Sequence, residues 1–331
     1  MALASALIVS ASPAKLTPAS IVVSRRFSGP LWVNPISLRR VSSPVDSIRV
    51  AAVSEKPSSS SKQSGLNLPI LERWDVPWGW QTVLFTMLAC GLSFAWAGLL
   101  EAVAYPYLGL HVGEASLDQQ AEILLVGQFV VTASVLGVLY GITNTFKPLP
   151  NDIFRYDLKD PINLQKGWLL WAGIGLLCAI AIVVLVGFLL NIINSERPER
   201  EADVLIKLLP LIGSSSISTI CLVGVTGVFA PLVEETVFRG FLMVSLTKWF
   251  PTPVSVLLSA AVFAFVHLAP GEFTQLFVFG SILGFSYAQT RNLLTPITIH
   301  GLWNTGVILL LIFLQYQGYD VRQVLQAWKG W

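Results

Sequence analysis

No Asp, Glu, Lys or Arg lies between Asp75 and Glu101, between Glu122 and Lys147, or between Lys166 and Glu196. Four further charge-free windows follow: Leu208–Val233, Trp249–Gly271, Phe273–Thr290 and Asn292–Tyr319. A helix needs about 20 apolar residues to cross the hydrocarbon core of a bilayer. Each window is expected to hold one membrane helix, about seven in all, in an all-α polytopic bundle. The Phe273–Thr290 window is short for a span. Trp74, Trp78, Trp80, Trp168 and Trp171 lie near window ends, as in an interfacial belt. Charged residues make up 12% of the chain, against about a quarter in soluble domains. A net charge of +2 makes no case for nucleic acid. Cys90, Cys178 and Cys221 all sit in apolar runs and read as small buried side chains, with no CxxC pattern or disulfide framework.

The N-terminus has a different character. Its first fifty residues are rich in Ala and Ser, carry Lys15, Arg25, Arg26, Arg39, Arg40 and Arg49, and hold Asp46 as their sole acid. This is the composition of an organellar transit peptide. The Ser content and the "IRVAAVS" run favour a chloroplast address over a mitochondrial one. Residues 1–52 are expected to be this disordered transit peptide, and 53–75, with "EKPSSSSKQSG", a flexible linker. Residues 76–207 would hold the N-terminal spans. Glu201–Ile212 could form an interfacial helix before the fourth.

Few polar groups interrupt the apolar windows. "PLVEETVFRGFL" carries Glu234, Glu235 and Arg239; "AVFAFVHLAP" carries His267; "TPITIHGLWNTGV" carries His300 and Asn304. Ionisable residues at membrane depth usually face a bundle interior and mark function. Glu235 and Arg239, Phe263 and His267, and His300 and Asn304 are each spaced i,i+4, so each pair shares a helix face. Glu235–Arg239 suits an intrahelical ion pair. Glu234 lies about 100° around the helix and points elsewhere. Three helices would thus present Glu, His and His/Asn to one interior. His111 lies in a loop and receives no role.

Such a cluster suits hydrolysis. A carboxylate in a partly dry pocket can act as general base on water. Histidine can hold that water or protonate a leaving amine, and an Asn amide can donate to a developing oxyanion. The same Glu234, His267 and His300 could instead bind a divalent metal such as zinc, since two His and a carboxylate form a known zinc set. Each element also has a plainer reading. The two acids could occupy a solvated first helical turn near Pro231. The histidines and Asn304 could bond across helices for packing. Glu101 reads as an interfacial charge, and Lys248 and Arg291 as loop charges.

The ordered set EE-x3-R, F-x3-H and H-x3-N resembles the CPBP intramembrane protease family, which includes type II CAAX prenyl endopeptidases and bacteriocin-processing (Abi) proteins. The resemblance covers roughly residues 208–315, the expected catalytic core, followed by a tail over 316–331. It implies that Glu234 activates the hydrolytic water with His267 as its partner. His300 and Asn304 would stabilise the transition state, and Glu235, Arg239 and Phe263 would support the site. The implied activity is an intramembrane endopeptidase, of metallo- or glutamate type, acting on membrane-associated protein or peptide substrates from within the lipid bilayer; the N-terminal address would put it in a chloroplast membrane, thylakoid or inner envelope. The alternative is a non-proteolytic scaffold or chaperone for other membrane proteins, because a plastid address removes the family's prenylated substrates.

Overall fold

A computed structural model describes residues 72–109, 115–193 and 208–321. The expected transit peptide, most of the linker, His111 and residues 201–207 lie outside them. The described residues form seven long helices: α1 (Trp80–Tyr107), α2 (Leu117–Thr143), α3 (Trp168–Ile193), α4 (the continuous Ser216–Leu246), α5 (Thr252–Val266), α6 (Phe273–Thr290) and α7 (Leu294–Tyr316). They contain no strand.

Five of these, α1 to α4 and α7, are long and apolar enough to cross a membrane. Five of the roughly seven expected spans thus have the length and apolarity of a crossing helix among the described residues. The Thr252–Val266 helix has only 15 residues. Helix α6 has 18 but interrupts its apolar face with Gln275, Ser281, Ser286 and Gln289. Large apolar side chains such as Leu84, Trp96, Leu177, Val184 and Phe313 point outward, whereas Glu234, Glu235, Arg239 and His300 are buried. Apolar outside and ionisable inside is the arrangement a hydrocarbon solvent demands.

Helix ends follow local chemistry. Ser116 caps α2: its Oγ accepts from Gln119 N, while Gln119 Oε1 accepts from Ser116 N. This reciprocal box satisfies two otherwise unpaired donors. Ser215 caps α4 by accepting from Ser218 N at 3.0 Å. Both serine hydroxyls also donate to Asp118 in the first turn of α2, tying the two helix starts together. Helix α6 stops at Arg291, whose backbone is left-handed (φ 50°).

Helix α4 is central and packs against α1, α2, α5, α6 and α7. It is not a regular α-helix throughout. Gly224–Phe229 and Thr236–Met243 are π-helical and flank an α-helical Ala230–Glu235. Such bulges recur at functional sites because they re-aim side chains along a helix.

The segment before α1 packs rather than hangs free. Trp78 Nε1 donates to Ser245 Oγ at 2.7 Å, and Trp74 stacks on Tyr287 with ring centroids 5.5 Å apart. Both tryptophans are buried, which corrects their assignment to the interfacial belt; Trp80 remains exposed. Lys248 and Arg291 are not simple loop charges. Lys248 Nζ donates to Trp78 O and Val76 O. Arg291 is buried, pairs with Asp152 and lies 4.3 Å over the Trp74 ring. The 147–167 connection straps α4 to the α6–α7 turn: Tyr156 Oη lies 2.6 Å from Thr236 Oγ1, and Leu293 N donates to Arg155 O at 2.8 Å. All three cysteines are free, and Cys178 is exposed on α3 rather than buried as expected.

Candidate active site

Glu234 and Glu235 sit between the two π-helical stretches of α4, and their side chains diverge. Glu235 Oε1 accepts from Arg239 Nη1 at 2.9 Å, the expected i,i+4 pair. Both side chains are fully buried, which overturns the solvated-pair reading. Arg239 Nη2 donates to Gly280 O on α6 at 3.0 Å, and its guanidinium lies 4.4 Å over the Phe263 ring. The pair is imperfectly satisfied, since Glu235 Oε2 and Arg239 Nε have no hydrogen-bond partner among the described residues. A buried ion pair of that kind is weak evidence for stability. Its use lies in what it positions.

That object is His300. His300 Nδ1 lies 2.8 Å from Glu235 Oε1. Arg239 donates to the same oxygen, so the oxygen is an acceptor and the proton of this bond sits on His300 Nδ1. The opposite nitrogen, Nε2, faces Glu234 Oε2 at 4.0 Å. His267 is held in the same sense. Its Nδ1 lies 2.6 Å from Phe263 O, and a carbonyl only accepts, so Nδ1 carries that proton. His267 Nε2 then faces Glu234 Oε2 at 3.8 Å. Two histidines from different helices thus aim the same nitrogen at one carboxylate oxygen.

His267 follows the last residue of α5, and Leu268 turns the chain away through a left-handed backbone (φ 52°). The histidine is therefore at the rim, half-buried, while His300 is enclosed. Phe263 is the hub between them. Its ring lies 4.5 Å from His267, 6.0 Å from His300 and 5.4 Å from Phe238.

Asn304 lies one turn beyond His300 on α7. Its Nδ2 donates to Thr226 O at 2.8 Å, in the first π-helical stretch of α4. One N–H is thereby committed to holding the amide, leaving the second for another acceptor. The backbones of α4 and α7 approach closely here. A Cβ on Gly301 would overlap Gly227 O, and one on Gly227 would overlap the Thr305 hydroxyl. Small residues at such a crossing let helix backbones meet.

The structure therefore brings Glu234, Glu235, Arg239, Phe263, His267 and His300 into one cluster, with Asn304 tied to the same helix by a backbone carbonyl. Sequence reasoning missed the Gly280 and Thr226 carbonyls, the Gly227–Gly301 crossing and Phe279, whose ring lies 5.4 Å from His300. The glycines were the available signal: Gly227, Gly280 and Gly301 each fall within four residues of a motif residue or its partner.

The donor chemistry of two imidazole Nε2 atoms and a carboxylate is of the zinc type. The spacing does not fit as well. Bonds of about 2.0–2.1 Å place ligand atoms about 3.4 Å apart around a tetrahedral ion. The two Nε2–Oε2 separations, 3.8 and 4.0 Å, are longer. Among the described residues no group of three His, Cys, Asp or Glu side chains is arranged to hold a metal. They are also too long for direct hydrogen bonds, and of a length that one water oxygen spans.

Residues 216–306 match the family described as type II CAAX prenyl endopeptidase Rce1-like. Over 202 residues the chain is 24% identical to "Putative membrane peptidase YdiL" of Bacillus subtilis (strain 168), an alignment covering 58% of this chain and 77% of that protein. No solved structure matches. The matched region runs from the first turn of α4 past Asn304 and holds every residue of the cluster, so the chain is similar to that family where its polar residues converge.

Proposed function

We propose that this protein is an intramembrane endopeptidase in which Glu234 activates water for attack on a peptide carbonyl. The observation that carries the proposal is the approach of His267 Nε2 and His300 Nε2 to Glu234 Oε2. A water in that space donates one hydrogen to Glu234 and the other to His267 Nε2, which directs its lone pair at the substrate carbonyl carbon. Glu234 takes the first proton as the C–O bond forms and delivers it to the amine nitrogen as the C–N bond breaks. The oxyanion is met by the second N–H of Asn304, with His300 beside it. Glu235 and Arg239 hold His300 in register. This is a glutamate-type rather than a metal-dependent hydrolysis, and positioned acid–base catalysis of this kind contributes about 10²–10⁴-fold.

The substrates are membrane-associated proteins or peptides. The YdiL relative is named as a membrane peptidase, and the family description adds prenylated CAAX ends for its own members. The basic, Ser-rich N-terminus supports placement in a chloroplast membrane. Fusion of residues 1–52 to a fluorescent reporter tests that placement.

The activity test is incubation of the purified full chain, reconstituted in liposomes, with a set of membrane-anchored peptides, the products being read by mass spectrometry. Cleavage is expected for the wild type, lost in Glu234→Ala and lowered at least about 10²-fold in His267→Ala. Equal product from all three proteins would overturn the reading. No cleavage by any, together with full rescue of a loss mutant by Glu234→Gln, would favour the scaffold alternative.

A further inference from the structure

A second buried acid lies apart from the cluster. Glu101 is on the penultimate turns of α1 and is only 9% exposed, so the expectation of an interfacial charge is corrected. Its Oε2 accepts from Tyr105 Oη at 3.4 Å, whereas Oε1 is shielded from solvent and has no hydrogen-bond partner among the described residues. The carboxyl occupies a niche that α2 leaves for it. A Cβ on Gly127 would come within 2.6 Å of Glu101 Oε2 and 3.0 Å of Tyr105 Oη. A carboxyl inside a membrane-length helix with one oxygen left without a donor is a functional candidate by default, with the partner to be named.

Glu101 lines a cleft of about 290 Å³ between α1 and α2. The other walls include Ser93, Trp96, Leu100 and Tyr105 from α1 and Val130 and Ser134 from α2. The cleft is nearly all apolar away from the carboxyl. Its volume is at the lower edge of small-molecule sites, about 300–1,000 Å³, and far too narrow for a second helix about 10 Å across. From Ser93 to Tyr105 it follows α1 for about 18 Å at 1.5 Å per residue. That is close to the depth of one leaflet, about half of a 30 Å hydrocarbon core. The acid lies toward the C-terminal end of α1.

We infer that the α1–α2 cleft is a binding site for a single bilayer lipid, with one hydrocarbon chain along α1 and a hydrogen-bond-donating head, an ammonium or a hydroxyl, on Glu101. The two are complementary: the slot along α1 is nearly all apolar, and the carboxyl that lines it has one oxygen that lacks a donor. A trimethylated head has the same charge but no N–H to give, so it does not satisfy Oε1.

The test is native mass spectrometry of the full chain released from nanodiscs containing equal amounts of ethanolamine-headed and choline-headed lipid with identical chains. One ethanolamine lipid per chain is expected to be retained with about tenfold preference, the scale of one charge-assisted hydrogen bond. Glu101→Leu should abolish the preference. Ser134→Trp, which fills the slot without touching the carboxyl, should abolish retention; it also serves if the Glu101 variant does not fold, with the thermal melt as the check. Equal retention of both lipids, retention unchanged in Ser134→Trp, no retained lipid, or occupation of the slot by a peptide instead would each overturn the inference.

Discussion

Glu235 Oε1 lies 2.8 Å from His300 Nδ1, across 65 residues of sequence, so the second acid of the motif fixes the histidine that faces the first. The two adjacent carboxylates therefore have unlike roles. Glu235 is locked by Arg239 and His300, and Glu234 is the one on which both Nε2 atoms converge.

The role of the Glu235–Arg239 pair separates stability from activity. Arg239→Ala leaves a buried carboxylate without its cation, and a loss of about 3–5 kcal/mol is expected. The double change Glu235→Leu with Arg239→Met replaces the pair by apolar groups, which is often neutral for folding. It should keep the thermal melt of the wild type yet lose cleavage at least about tenfold, because His300 has no acceptor to orient it. A double variant as active as wild type would show that the pair positions nothing.

The helix crossing at Gly301 makes a second prediction. Gly301→Ala drives a methyl into Gly227 O and should cost about 1–3 kcal/mol of overpacking while displacing His300 and Asn304 from α4. Gly306, on the same helix, has nothing within 4 Å of an added Cβ. Gly306→Ala is expected to be neutral or to stabilise by about 0.5–1 kcal/mol. Thermal melts and cleavage rates of the two variants, measured together, check this.

His267 and Asn304 should differ in what they contribute. His267→Ala removes the rim partner of Glu234 and is expected to lower kcat about 10²–10⁴-fold. The melt should barely change, because the residue is half-buried at a helix end. Asn304→Ala should lower kcat about 10²–10³-fold, the usual effect of one oxyanion donor. It should also lower the melt, since it breaks the α7–α4 bond to Thr226.

Much of this arrangement is legible in the sequence. Charge-free windows marked the helices, and i,i+4 spacing gave the Glu235–Arg239 pair and the shared face of Phe263 and His267. What periodicity records is a face, not its partner. It could not say that His300 meets Glu235, or that Gly280 O meets Arg239, because these contacts join separate helices. The π-helical stretches have no period of their own in so short a run. Trp74 and Trp78 misled because a tryptophan near a span end is usually interfacial; here Ser245 and Tyr287 offered buried partners. Glu101 misled similarly, since only the missing side chain of Gly127 makes room for it inside.

Metal removal tests the reading of the Nε2–Oε2 separations. Dialysis against a strong chelator should leave the cleavage rate unchanged, and elemental analysis of the active sample should find well below one divalent ion per chain. Stoichiometric zinc with activity lost on chelation and restored on its return would move the site to metal-dependent hydrolysis.

The most direct measurement is the single-turnover cleavage rate of a membrane-anchored peptide by wild type and Glu234→Gln in the same liposomes, with matched thermal melts. The account predicts a loss of at least about 10³-fold in the variant, since the amide keeps the shape of Glu234 but cannot take a proton from water. A Glu234→Gln protein that cleaves at the wild-type rate would contradict it.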